Sequence, residues 1–211
     1  MPKPTFIPAA RFHLLTRLYD AGCEIFGLGR RFKRRLLAAM AFPPGGRILD
    51  VGCGTGLFAV LLARDRPDLV VHGVDVDPAI LRIAQRRAAR AGVRVRFQRG
   101  AAQVLPFGDA VFDVVTSTLM LHHLPGPEKA RALAEVARVL TPGGTFYLAD
   151  FAPPHTALAR AVTWHLRLVR FEETREHFAD EITGLIAAAG FLPATEHFQN
   201  AWAISLLQAH R

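Results

Sequence analysis

The stretch Ile48-Leu49-Asp50-Val51-Gly52-Cys53-Gly54-Thr55-Gly56 constrains this chain more than any other. An apolar run enters a turn with glycine at three alternate positions, and Leu57 opens a further apolar segment. The first run reads as a buried strand. The glycines permit a sharp turn and let a ligand lie directly against the backbone. A second signal stands at the right distance: Val70-Val71-His72-Gly73-Val74-Asp75 reads as the next strand, with its terminal carboxylate 19 residues after Gly56. In a doubly wound sheet such an acid reaches the two ribose hydroxyls of a bound nucleoside.

The spacing is G-x-G-x-G, preceded by Asp50. The dinucleotide fingerprint G-x-G-x-x-G would need a third glycine at position 57, which is Leu. The loop therefore suits a nucleoside without a pyrophosphate better than NAD. This combination resembles the class I S-adenosylmethionine-dependent methyltransferases, over about Gly46 to Asp150, with weaker similarity on both sides.

Strand and helix patterns alternate along the chain. Strand 47–51 precedes helix 57–65, and strand 69–75 precedes helix 78–91, where Asp77 and Pro78 suit an N-cap and first position. Strands 93–98 and 111–116 follow, then helix 127–140, stopped by Thr141-Pro142-Gly143-Gly144, and strand 145–150. A helix over 156–170, a helix over 179–189 and an antiparallel pair at about 191–198 and 201–208 complete the reading. The expected fold class is α/β: a doubly wound, Rossmann-like, mostly parallel seven-stranded sheet with an antiparallel C-terminal strand and helices on both faces. Ahead of it, helices over about 12–26 and 30–41 form an expected cap, residues 1–42. Residues 43–211 form the cofactor domain, with a substrate-cap insertion at about 151–178.

The resemblance carries roles onto single positions. Asp50 ends the first strand, where the family orients the methionine amino group. Gly52, Cys53 and Gly54 bring backbone close to the methionine portion. Asp75 takes the ribose hydroxyls by two charge-assisted hydrogen bonds, and Val76 and Ile80 sandwich the adenine. Gly100 to Phe107 is similar to the adenine-edge loop. There the family's usual Asp is replaced by Ala101, at a cost of about 1 kcal/mol of binding, while the Ala102 N–H serves the adenine edge and Gln103 or a carbonyl substitutes for the missing acceptor. Phe112 to Leu124 is similar to the family's fourth strand and its His-His-Leu turn, so Thr116 and Ser117 flank the sulfonium. His122 and His123 are the candidate catalytic bases, since imidazole exchanges protons near neutral pH. Asp150, His155, Trp164 and His165 are candidates to line the acceptor pocket, and His13 and Tyr19 to close over the methionine end. No histidine spacing points to a metal. Cys23 and Cys53 form neither a disulfide framework nor a zinc pattern.

Composition bounds the partners. The net charge is +8 and the pI about 10.6, from 23 Arg and 3 Lys against 18 acids. The cations cluster at Arg30, Arg31, Lys33, Arg34 and Arg35, and again from Arg82 to Arg99. Such clusters meet an anionic surface or serve as a solvated helix face. No apolar run approaches the length of a spanning helix, and no leader-like segment opens the sequence. A cytoplasmic location is expected, with peripheral membrane contact through the basic N-terminal helices as an option.

The resemblance implies S-adenosylmethionine as cofactor and a small-molecule acceptor such as a quinol, phenol or lipid. The motif set is most similar to the ubiquinone/menaquinone-biosynthesis methyltransferases. The alternatives are a phospholipid or RNA methyltransferase and a non-catalytic nucleoside-binding module. Nucleic acid is disfavoured, because aromatic and basic residues do not interleave. The sequence sets neither the oligomeric state nor the methylated atom.

Overall fold

The computed structural model describes residue 24, residues 27–163 and residues 181–211. His13, Tyr19, the helix over 12–26, Trp164, His165 and most of the expected substrate cap lie outside the described residues.

The chain order is α1 (Arg30–Ala39), β1 (Arg47–Val51), α2 (Leu57–Asp65), β2 (Val70–Asp75), α3 (Pro78–Ala91), β3 (Arg96–Arg99), β4 (Phe112–Thr118), α4 (Gly126–Val139), β5 (Leu140–Phe151), α5 (Ala157–Thr163), α6 (Glu181–Ala188), β6 (Thr195–Gln199) and β7 (Ile204–His210). The seven strands form one sheet in the order β3-β2-β1-β4-β5-β7-β6. β1 pairs in parallel with both β2 and β4, β2 with β3 and β4 with β5, while β7 runs antiparallel to β5 and β6. The expected fold class is thus the observed one.

Period-two alternation divides the core. Leu49, Val115, Phe146 and Leu148 face one layer with Leu133 and Val136 of α4 and Ile182 and Ile186 of α6. Ile48, Val114, Tyr147 and Ala149 face the other, with Phe32 and Leu36 of α1 and Phe58 and Leu62 of α2. Truncating a fully buried member such as Leu133 to Ala costs about 2–5 kcal/mol.

One boundary differs in a way that matters for the sheet. The Thr141-Pro142-Gly143-Gly144 terminator is not a loop before a strand but the first part of a long β5, which starts where α4 ends. Gly143 N donates to Arg211 O and Arg211 N to Gly144 O, so the end of β7 ties this segment into the sheet. The first part of the helix expected over 156–170 is α5, and its remainder, 164–170, lies outside the described residues. α3 keeps the expected bounds, with the Asp77 side chain accepting from Ala79 N at 2.7 Å, Pro78 at its start and Gly92 in the left-handed region at its end.

Candidate functional site

Parallel register brings the ends of β1, β2 and β4 to one edge. Asp50 lies beside Gly73 and Thr116, and Val51 beside Val74 and Ser117. This edge is the switch point of the sheet, because β1 is followed outward by β2 on one side and by β4 on the other.

The glycine loop is shaped by its backbone. Gly52, Gly54 and Gly56 all have φ between +52° and +73°, a region that other residues rarely adopt. Gly52 N and Cys53 N both donate to Val74 O, at 2.9 and 3.0 Å, and fasten the loop to the end of β2. A side chain at Gly52 would meet Met120 Cγ at 2.2 Å. One at Gly56 would lie 2.8 Å from both Ala84 Cβ and the Phe97 ring, so α2 and α3 approach only because Gly56 is bare.

The loop meets Asp75 directly. Gly54 N donates to Asp75 Oδ2 at 3.0 Å, and Asp77 N to Asp75 Oδ1 at 3.0 Å. Each carboxylate oxygen keeps acceptor capacity for a diol. Burial pushes the Asp75 carboxyl above its ordinary value, against the pull of these two hydrogen bonds. Val76 is half-buried, and Ile80 is buried against the loop. Gly100 N donates to Asp75 O and brings Ala101, Ala102 and Gln103, all half-buried, to the same edge. Ala101 O already accepts from Val104 N at 3.1 Å.

Asp50 is 1% exposed, and its Oδ1 accepts from Thr116 Oγ1 at 3.1 Å. Among the described residues, no donor meets Asp50 Oδ2, and Ser117 Oγ is likewise buried without a partner. Burial pushes the Asp50 carboxyl up to about 7, while the nearby Lys33 cation and the Thr116 hydroxyl draw it down. An unpaired buried oxygen is costly unless a ligand meets it. Here it stands beside a cradle that side chains would fill and the Asp75 carboxylate, which keeps acceptor capacity on both oxygens. That set fits the ammonium, backbone and ribose contacts of S-adenosylmethionine. Burial also pushes the Cys53 thiol well above its ordinary value, which suits a packing role.

The histidine pair sits on a short 3-10 turn, Leu121–His123, just past β4. His122 Nδ1 lies 2.7 Å from Asp150 Oδ1, and His122 N donates to Asp150 Oδ2 at 3.3 Å. Asp150 is 3% exposed and also accepts from Phe151 N at 2.9 Å. The Phe151 ring meets the His122 ring edge-on at 5.0 Å, and the His122 and His123 rings lie 3.9 Å apart. His155 stands apart, with Nε2 3.6 Å from Glu196.

Three contributions escaped the sequence pattern. Asp150, read only as a candidate to line the acceptor pocket, is also the partner of His122. Lys33, read as one of five clustered cations, turns inward and donates to Thr118 Oγ1 at 2.6 Å. Arg138 of α4 donates to Leu105 O, Phe107 O and Asp109, and its partner Glu135 accepts from Leu105 N at 2.7 Å; together they brace the loop from Gly100 to Phe107. No composition signal marks these residues, because each is defined by a neighbour distant in sequence. Among the described residues, no group of His, Cys, Asp or Glu could hold a metal ion, and no helix is long and apolar enough to cross a membrane.

Comparisons with known proteins agree with this geometry. Residues 48–144 match the family model described as a methyltransferase domain. The chain is 34% identical to a demethylmenaquinone methyltransferase of Thermus thermophilus, over 95% of this chain and 87% of that protein. It is 38% identical to a 27-O-demethylrifamycin SV methyltransferase of Amycolatopsis mediterranei, over 57% of this chain and 44% of that protein. The fold is similar to the crystal structure of a SAM-dependent methyltransferase from Aquifex aeolicus, with a TM-score of 0.67 at 17% identity, covering 84% of this chain and 88% of that one.

Proposed function

The chain belongs to the class I S-adenosylmethionine-dependent methyltransferases and is an enzyme of small-molecule methylation, and on that premise we propose that its acceptor is a quinol of the demethylmenaquinol type. The observation that carries this reading is the His122–Asp150 pair at the edge of the cofactor cradle. The similarity to the Thermus enzyme along nearly the whole chain supports the acceptor class.

Asp50, the glycine loop, Asp75 and the loop at Ala101–Gln103 hold the cofactor in this reading, and Thr116 and Ser117 stand at the adjoining end of β4. When bound, S-adenosylmethionine supplies a methyl group on a sulfonium already activated for in-line displacement. The chain's own task is positioning and proton removal. Asp150 accepts from His122 N and Phe151 N; in this reading its carboxylate also accepts from Nδ1–H of His122, which makes Nε2 the basic nitrogen. His122 takes the proton of a ring hydroxyl, and Asp150 steadies the imidazolium that forms. The electron density released onto the ring makes the carbon beside the hydroxyl nucleophilic; after that carbon gains the methyl, it loses its own hydrogen as a proton and the oxygen regains one, which restores the aromatic quinol.

The same base serves a phenol whose oxygen is itself the nucleophile. The similarity over 57% of this chain to the 27-O-demethylrifamycin SV methyltransferase supports an oxygen acceptor as the second reading. Assays with S-adenosylmethionine and a panel of reduced demethylnaphthoquinones, simple phenols and phosphatidylethanolamine separate the readings. A ring-carbon methyl product on the quinol, identified by mass fragmentation, is expected. Exclusive O-methyl products favour the second reading, and methylation of the lipid amine alone overturns both.

A further inference from the structure

A cavity of about 510 Å³ lies on the flank of the fold, between the start of α1 and the sides of α2 and α3. Arg30, Arg64, Arg86, Arg87 and Arg90 line it together with Leu57, Leu61 and Ile83. Leu61 is buried, whereas every one of these arginines except Arg87 is exposed, so the floor is aliphatic and the rim cationic.

Two of the five arginine side chains have partners within the fold. Arg87 donates to Thr55 O and Oγ1 at 2.7 and 2.6 Å, and Arg64 meets its neighbour Asp65 at 3.3 Å. Among the described residues, no carboxylate pairs with the side chains of Arg86 or Arg90, while at the start of α1 Glu24 Oε1 accepts from the Arg30 backbone N–H at 2.7 Å. Pro78 to Arg99 holds seven arginines and no acid, and α1 itself holds five cations and no acid. Converging guanidinium groups repel one another, and an anion relieves that repulsion. Their planar fork matches phosphate oxygens.

The lining discriminates among phosphate-bearing partners. None of the described lining residues is aromatic, so the cavity lacks the rings on which nucleic-acid bases stack. An aliphatic floor beneath an arginine rim matches a phosphate attached to an acyl chain. We infer that this cavity docks the anionic headgroups of a phospholipid surface. The choice of a lipid surface rests on the quinol reading, because an acceptor with an apolar tail resides in a bilayer. α1 joins the two regions: Arg30 lines the cavity, and Lys33, one helical turn on, reaches Thr118 in the site wall.

Flotation of the full chain with vesicles tests this. Binding is expected to equal parts phosphatidylglycerol and phosphatidylcholine, and not to phosphatidylcholine alone. The pair Arg86→Gln/Arg90→Gln is expected to weaken that binding about thirtyfold, as the loss of two near-surface cations. The charge-matched pair Arg94→Gln/Arg96→Gln, exposed and outside the cavity, is expected to retain most of it. Equal weakening by both pairs overturns the proposal, as does failure to bind the anionic vesicles. Preferential binding of a uridine homopolymer through Arg86 and Arg90 overturns it in favour of nucleic acid. Cofactor affinity and methylation of a tail-less quinol, measured on the same variants, are expected to match the unaltered protein. An unaltered protein that methylates the quinol but ignores vesicles overturns the docking alone. One that docks through Arg86 and Arg90 but methylates no quinol upholds the docking and overturns the acceptor reading.

Discussion

His122 and Asp150 stand 28 positions apart in the chain, yet Nδ1 of one lies 2.7 Å from Oδ1 of the other. The contact exists because β4 and β5 are parallel neighbours that end at the same edge. His122 follows the first and Asp150 lies at the end of the second, so the sheet sets their separation.

Replacing His122 by Ala is expected to lower kcat by about 10²–10⁴, the range for a lost general base. Cofactor affinity should change little. Asp150→Asn keeps the shape but adds an amide donor, and is expected to shift the kcat–pH profile as well as lower its maximum. An unchanged profile in the asparagine variant would remove Asp150 from its positioning role. Rapid-quench methyl transfer across pH supplies both readouts.

Asp75→Ala removes the two-oxygen acceptor that a ribose diol needs, and also releases Gly54 N and Asp77 N. Charge-assisted hydrogen bonds contribute about 1.5–3 kcal/mol each. The dissociation constant for S-adenosylhomocysteine, measured by calorimetry, is expected to rise at least about a hundredfold. A rise of only a few-fold would place the nucleoside elsewhere.

Asp50 imposes a pH dependence of known sign. Its folded carboxyl titrates at about 7 and its unfolded one near 3.8. Between those values the folded state holds a proton that the unfolded state has lost. Its contribution to stability is therefore full below about pH 4, declines by about 1.4 kcal/mol per pH unit, and levels off above about pH 7. Denaturant midpoints of the unliganded protein should show that decline, and Asp50→Asn should lack it. Lys33→Met removes an attraction that lowers the Asp50 value, so the levelling point should move to higher pH. Identical slopes in the unaltered protein and Asp50→Asn would refute the assignment.

Arg138→Met unties Leu105 O, Phe107 O and Asp109 at once. The loop from Gly100 to Phe107, proposed to edge the adenine, then loses its brace on α4. Cofactor affinity is expected to fall about tenfold, near the effect of one or two lost hydrogen bonds. Hydrogen exchange should rise at Leu105 N, whose acceptor Glu135 is itself held by Arg138. An unchanged exchange rate at Leu105 would show that the loop is held without the brace.

The local code was legible wherever a role depends on spacing along the chain. The alternate glycines imply backbone with positive φ, and the structure has it at Gly52, Gly54 and Gly56. Asp77-Pro78 implies a capped helix, and α3 starts there. The apolar runs imply a sheet covered on both faces, and two core layers enclose it. The terminator at Thr141–Gly144 does stop α4, at Val139, but the strand expected from 145 already starts at Leu140, because the partner Arg211 arrives from the far end of the chain. Tertiary pairing extended the strand there.

Sequence by itself determined the alternation of elements, the glycine cradle and the positions of Asp50 and Asp75, since all follow from short-range backbone and burial preferences. Only the tertiary structure decided which charged groups act together. Lys33 meets Thr118, Arg87 meets Thr55, Arg138 meets the adenine-edge loop, and His122 meets Asp150. Each pairing joins residues at least 28 positions apart, brought within hydrogen-bond reach by strand order and helix packing. Charge and side-chain type alone leave the partner of each group open, because a hydrogen bond requires a distance that only the closed fold supplies.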